Sequence, residues 1–341
     1  MKKILFFLCV FFIFLSFSRL SSAADFLGVG RGEGLTSVLL TMEKDTEKSR
    51  FLIGERTEVF CVDSLGDDRF IVGGVTKNKG TVWIVQKDKI LHMEHLPEAN
   101  VIYGIKKASD GTVWAAGSHK YMGACVWKGT DKGEFQDPTV LSKGSVAYAV
   151  CEGLNGEIFV GGIFFTHGKV WMHKDGQWNL GDMLTDSKQI NSLCVDREGV
   201  VYACGQKIRY GEAASGHGTV HQGGVWTFNG QQWGPAIEIP QSIDIYCSAV
   251  DSDGKVWLGG AGDMDKTVWV LEMPLWKPIT IENCLALYSM TVDRKTGNMT
   301  TAGWNKQIRG RIWFKEKDKE WNPGQDIDKC SVIRGLTALS Q

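Results

Sequence analysis

Ile245-Tyr246-Cys247-Ser248-Ala249-Val250-Asp251-Ser252-Asp253-Gly254-Lys255-Val256-Trp257-Leu258-Gly259-Gly260 decides the fold, because this phrase recurs along the chain. With substitutions it returns at residues 102–117, 147–162 and 190–205 and, with one extra turn residue, at 287–303. Residues 57–74 form a looser copy. A Val-Trp or Ile-Trp pair follows each copy, at Trp83, Trp127, Trp171, Trp226, Trp269 and Trp313, and another aromatic often comes next, as at Trp178, Trp233, Trp276 and Trp321. With Glu58, Tyr103, Tyr148, Asn191, Tyr246, Tyr288 and Arg334 as equivalent markers, the copies lie 45, 45, 43, 55, 42 and 46 residues apart. Four short β-rich runs repeated at that spacing are the signature of propeller blades.

Each unit divides into strand A up to the turn, strand B through the Gly-Gly, strand C around Val-Trp, and strand D near the last aromatic. Asp110-Gly111, Asn155-Gly156 and Asp253-Gly254 read as two-residue hairpin turns in which both residues take positive φ. The tryptophans fill the wide outer gaps between blades, and Gly, Ala, Ser and Cys crowd strand A near the axis. Six copies are complete, and the termini supply a seventh. Val332-Ile333-Arg334-Gly335-Leu336 matches Val101-Ile102-Tyr103-Gly104-Ile105 and is a strand A with nothing after it. Residues 26–30, 36–41 and 51–54 supply its strands B, C and D. The expected fold is all-β: a seven-bladed β-propeller of four-stranded blades, with the C-terminal strand completing the N-terminal blade and covering two otherwise open sheet edges.

The Asp-x-x-Gly-x-Val-Trp-x-Gly-Gly core of the phrase resembles the periplasmic sensor propellers of two-component regulators and, more loosely, propellers of the streptogramin-lyase type. The resemblance spans nearly all of the chain beyond residue 23 and implies a fold, since the motif encodes turns and packing.

Residues 1–23 read as a secretory signal: Lys2-Lys3, an apolar run from Ile4 to about Phe17, then Ser21-Ser22-Ala23 before the cut. The run is too short for a membrane span, and none is expected after cleavage. The mature chain, residues 24–341, is then one exported domain, periplasmic or extracellular. It carries 35 basic against 39 acidic residues. A net charge of −4 gives no electrostatic footprint for nucleic acid. Eight cysteines remain; Cys61, Cys151 and Cys194 share one place in three repeats, where a thiol packs as a small hydrophobe. Most are expected to be unpaired, with Cys284 and Cys330 the exceptions.

The marker residues begin strand A and should ring the channel mouth. Four tyrosines, Asn191 and one charge of each sign, Glu58 and Arg334, suit a polar small molecule, a glycan or a protein partner. The B-to-C loops share that face. The blade 5 loop is the longest and holds Tyr210, His217 and His221, with His119 and His167 in the two preceding blades. The alternative these histidines raise is a lyase- or hydrolase-type enzyme using His217, His221 and Glu58. A structural surface scaffold is a third possibility. No Gly-x-Ser-x-Gly elbow occurs, and His217-x-x-x-His221 lies in a Gly-rich stretch without a glutamate, so neither a catalytic set, a metal site nor a cofactor is expected.

Overall fold

The computed structural model describes residues 25–32, 36–43, 46–86, 89–208 and 221–338. The signal segment lies outside these residues, as do Tyr210 and His217. Seven antiparallel sheets stand in a ring, each running A-B-C-D from the axis outward. The innermost strands of blades 2 to 7 are Thr57–Gly66, Ala99–Lys107, Val146–Glu152, Ser187–Val195, Ser242–Val250 and Cys284–Val292. Blade 1 takes Asp25–Gly32, Thr36–Glu43 and Thr46–Glu55 from the N-terminal end and Cys330–Ala338 from the C-terminal end. Phe26 pairs with Ala338 and Gly30 with Ile333, which closes the ring as the terminal phrases predict. Each innermost strand touches the next, around to the first.

Packing between blades explains the tryptophan series. Trp83, Trp127, Trp171, Trp226, Trp269 and Trp313 are all at most 2% exposed, and each packs into a core shared with the preceding blade. Blade 1 has Leu40 and Met42 in its core against blade 7 instead. Five indole N–H groups also donate to a backbone carbonyl of the incoming D-to-A connection, as Trp269 does to Pro240 O at 2.7 Å. An indole thereby anchors its blade and satisfies its own polar atom.

The Gly-Gly pair has a different cause. Strand A carries a one-residue bulge in every blade, at Phe60, Tyr103, Tyr148, Asn191, Tyr246, Tyr288 and Arg334. The bulge swings the carbonyl two residues earlier onto strand B. A Cβ at Gly30, Gly74, Gly117, Gly162, Gly205, Gly260 or Gly303 would run into that oxygen. Only glycine fits under the bulge.

Three local expectations need correction. Of the hairpin dipeptides only the glycines, Gly111, Gly156 and Gly254, take positive φ. These turns are wider: Ala108 N donates to Thr112 O and Gly111 N to Ala108 O, a type I turn with a glycine bulge. In blade 6 the Asp251 carboxylate fixes the turn, accepting from Asp253 N, Lys255 N and the Trp257 indole. Strand D shrinks to two residues in blades 3, 5 and 7, so Trp233 and Trp321 lie before it. All eight described cysteines are free, Cys284 and Cys330 included. These two belong to the cores of different blade interfaces, which keeps their thiols apart.

Candidate binding site at the channel mouth

The seven bulges line up around the axis, and a bulge re-aims a side chain out of the alternating pattern of a strand. Here it turns one residue per blade toward the mouth. Together with the following one or two residues of several blades they line a cavity of about 300 Å³. Of the sequence-derived ring, Tyr103, Tyr148, Asn191, Tyr246, Tyr288 and Arg334 line this cavity. Glu58 does not take the seventh place. Phe60 does, because it and not Glu58 is the bulge residue of blade 2. Phe60 stands 14 residues before Gly74, as Tyr246 stands 14 before Gly260, and that interval, lengthened by the extra turn residue only between Tyr288 and Gly303, is the signal that would have found it.

Around the ring, two aromatic arcs alternate with two polar posts. Phe60, Tyr103 and Tyr148 form one arc, with ring centroids 5.0 and 5.3 Å apart. Tyr246 and Tyr288 stack at 5.0 Å in the other, and Trp304 stands edge-on to Tyr288 at 5.2 Å. Trp304, at the end of strand B of blade 7, carries a buried indole N–H without a partner among the described residues. None of the four tyrosine hydroxyls bonds a protein atom among the described residues, and none is sealed from solvent. Partial burial raises the pKa of all four, so they remain phenols able to donate and accept.

Each polar post is held by an acid from the next blade. Arg334 lies over the Phe60 ring with its guanidinium carbon 4.7 Å from the centroid, and its Nη1 is 3.5 Å from Glu58 Oε2. The other Glu58 oxygen is 3.5 Å from Arg31 Nη1. Asp244, which occupies in blade 6 the position of Glu58 in blade 2, accepts from Asn191 Nδ2 at 3.0 Å and Gln189 Nε2 at 3.3 Å. Asn191 Nδ2 donates as well to Ile245 O at 2.8 Å. Asp244 is 4% exposed, and burial drives its pKa up to about 7 against the pull of Lys188 and its hydrogen bonds.

Below the aromatic ring the channel wall is small and hydroxylated. Ser192 and Ser248 share a hydrogen bond of 2.8 Å, and Ser289 Oγ accepts from Leu336 N at 2.9 Å. Cys61 and Cys247 are true equivalents, each one residue after the bulge, whereas Cys151 and Cys194 sit three after it. Burial raises all three of the Cys61, Cys151 and Cys247 thiols far into the neutral form, which makes them packing groups and not nucleophiles.

The described histidines do not join the ring. His119 Nδ1 accepts from Tyr121 N at 3.1 Å and Met122 N at 3.3 Å, which makes it a loop brace. His167 pairs with Thr166 at 3.3 Å on the surface. His221 Nε2 lies 3.5 Å from Lys188 Nζ; burial, then that cation, lowers its pKa. None of the three lines the cavity, and Glu58 is engaged with two arginines of blade 1 instead of meeting His221 in blade 5. Among the described residues no group of three or more His, Cys, Asp or Glu is placed to hold a metal. No helix among them is long and apolar enough to cross a membrane.

No protein-family model and no curated protein matches the chain. Solved structures do. The virginiamycin B lyase of Staphylococcus aureus aligns at a TM-score of 0.60 with 12% identity, over 82% of this chain and 94% of the lyase. A lectin of Burkholderia pseudomallei aligns at 0.65 with 9% identity, over 90% and 99%. The WD40 repeats of RRP9 align at 0.59 with 13% identity, over 84% and 85%. The likeness is one of fold. Streptogramin-lyase-type propellers were one of the two resemblances carried by the repeat phrase, and at these identities they share a scaffold with this chain and nothing finer.

Proposed function

We propose that the protein is an exported binding module that takes a polar small molecule or a glycan into the mouth of its central channel. The observation that carries this reading is the convergence on one cavity of four unpartnered tyrosine hydroxyls with the side chains of Arg334 and Asn191. Aromatic faces with polar edges bind ligands that have apolar C–H faces and hydroxylated rims. Lectins and WD40 domains are built on the same architecture, which fits a binding role. The test is a panel of mono- and oligosaccharides and polar metabolites scored by ligand-induced thermal stabilisation. At least one compound should stabilise the wild type, and Tyr148→Ala/Tyr246→Ala should lose that shift while staying folded. Equal shifts in both proteins would place binding elsewhere.

A protein partner is the second reading, favoured by the rim beside the mouth. Tyr121 and Phe165, on the B-to-C loops of blades 3 and 4, are 83% and 75% exposed. Phe165 holds φ of 52°, a conformation an aromatic residue seldom adopts. A photo-crosslinking residue at position 165 should give one discrete protein adduct in the native host; the same adduct pattern from exposed Leu52 would remove the reading.

A further inference from the structure

We infer that the ligand of the channel mouth is an acidic pyranose of the uronic acid type, with its carboxylate on Arg334 and a hydroxyl donating to Asn191. This inference rests on the mouth being the binding site and adds the chemistry of what enters it.

The first argument is charge. Glu58 lies between Arg31 and Arg334, so two guanidiniums share one carboxylate and the cluster keeps one positive charge. Among the described residues no other acid pairs with either arginine. Arg334 lines the cavity and makes no hydrogen bond to a protein atom there, since its approach to Glu58 is a 3.5 Å ion contact on one nitrogen. A guanidinium with its fork unused and a net charge behind it is a carboxylate receptor.

The second argument is the polarity of the opposite post. Both N–H bonds of Asn191 are spent, one on Asp244 and one on Ile245 O. Because a backbone carbonyl only accepts, the amide cannot be turned around. Oδ1 is therefore all that Asn191 can offer a ligand, and it calls for a donor. A carboxylate at the Asn191 post would meet an acceptor, and an ammonium at the Arg334 post would meet a cation. The ligand is thus oriented: an anion toward blade 1 and a donor toward blade 5.

The third argument is shape. The aromatic arcs of blades 2 to 4 and blades 6 to 7 flank the line between the two posts. A flat ring with apolar C–H faces lies between such walls, and its equatorial hydroxyls reach the phenols. A cavity of about 300 Å³ sits at the small end of the range for ligand sites, suited to one or two sugar rings.

Methyl β-D-glucuronide and methyl β-D-glucoside differ only in bearing a carboxylate or a hydroxymethyl group, so calorimetric titration of both isolates the Arg334 contact. The glucuronide should bind at least about tenfold more tightly, the scale of one charge-assisted hydrogen-bonded pair. Arg334→Gln should erase the preference and Arg334→Lys should keep part of it, each checked for an unchanged thermal transition. If Arg334→Gln does not fold, the preference in the wild type should still shrink as salt rises. Equal affinities, a preference that survives Arg334→Gln, or no binding of either glycoside overturns the acidic-sugar assignment. The mouth itself is overturned separately, only if no panel compound depends on Tyr148 and Tyr246.

Discussion

Asp244 shows what burial does to one carboxyl in this ring. With its pKa raised from an ordinary value near 3.8 to about 7, folding favours the protonated acid. Its contribution to stability is full below about pH 4 and drains away as pH rises through 7. Asp244→Asn removes this titration, so the melting temperature of the variant minus that of the wild type should grow from pH 5 to pH 8. A difference that does not change with pH would show that the carboxyl is already ionised in the folded protein. Phe60 gives a second test at this scale. It occupies the bulge position that is tyrosine in four other blades, so Phe60→Tyr should change the unfolding free energy by less than about 0.5 kcal/mol. A loss well above that in chemical denaturation would contradict the register. Reading the chain by residue type placed six of the seven ring members. It put Glu58 in the seventh place because the acid and the bulge residue are two apart on one strand, and side-chain direction across a bulge does not follow from residue type. The pairing of Glu58 with Arg334 and of Asp244 with Asn191 was not legible at all. It depends on which blade follows which around the ring, and on a carbonyl that fixes the Asn191 amide.

Among elements, the bulge and the glycine beneath it form one device. Gly260→Ala must push a Cβ into the Asp244 carbonyl, so a loss of about 3–5 kcal/mol is expected in urea unfolding. Gly156, at φ of 82° with open space around it, should cost only about 1 kcal/mol as alanine, from backbone conformation alone. Equal costs at the two sites would deny the close approach. Trp269→Phe should lose about 1–3 kcal/mol, because the Pro240 carbonyl is left without its donor. The repeat phrase announced these elements well: strand A, the Gly-Gly and the Val-Trp all lie where the periodicity puts them. The turns were misread because Asp-Gly alone does not set loop length. Asp251, two positions before the dipeptide, fixes a wider turn with its carboxylate. The outermost strands were misplaced for a related reason, since a two-residue strand D leaves no periodic trace.

For the whole molecule, closure through the shared blade makes stability global. Removing Cys330–Ala338 exposes the edge of Asp25–Gly32 and takes Cys330, Ile333 and Leu336 out of the interface with blade 7. Truncation at residue 329 should therefore abolish the cooperative thermal transition or lower it by well over 10 °C, the shift that several kcal/mol produces. An unchanged midpoint would mean that the strand merely decorates an already complete ring. Closure also brings Arg334, from the last strand, beside Phe60 and Glu58 from early in the chain, so the mouth exists only in the closed ring. That mouth is tested most directly by fluorotyrosine NMR, since the chain has seven tyrosines and, of those among the described residues, Tyr103, Tyr148, Tyr246 and Tyr288 line the cavity while Tyr121 and Tyr202 do not. On titration with methyl β-D-glucuronide, or with whichever panel compound stabilises the wild type, those four resonances should move together while Tyr202, bonded to Asp196 in an A-to-B turn, stays still. A titration that shifts Tyr202 or Tyr121 and leaves those four unmoved would contradict the channel mouth as the binding site.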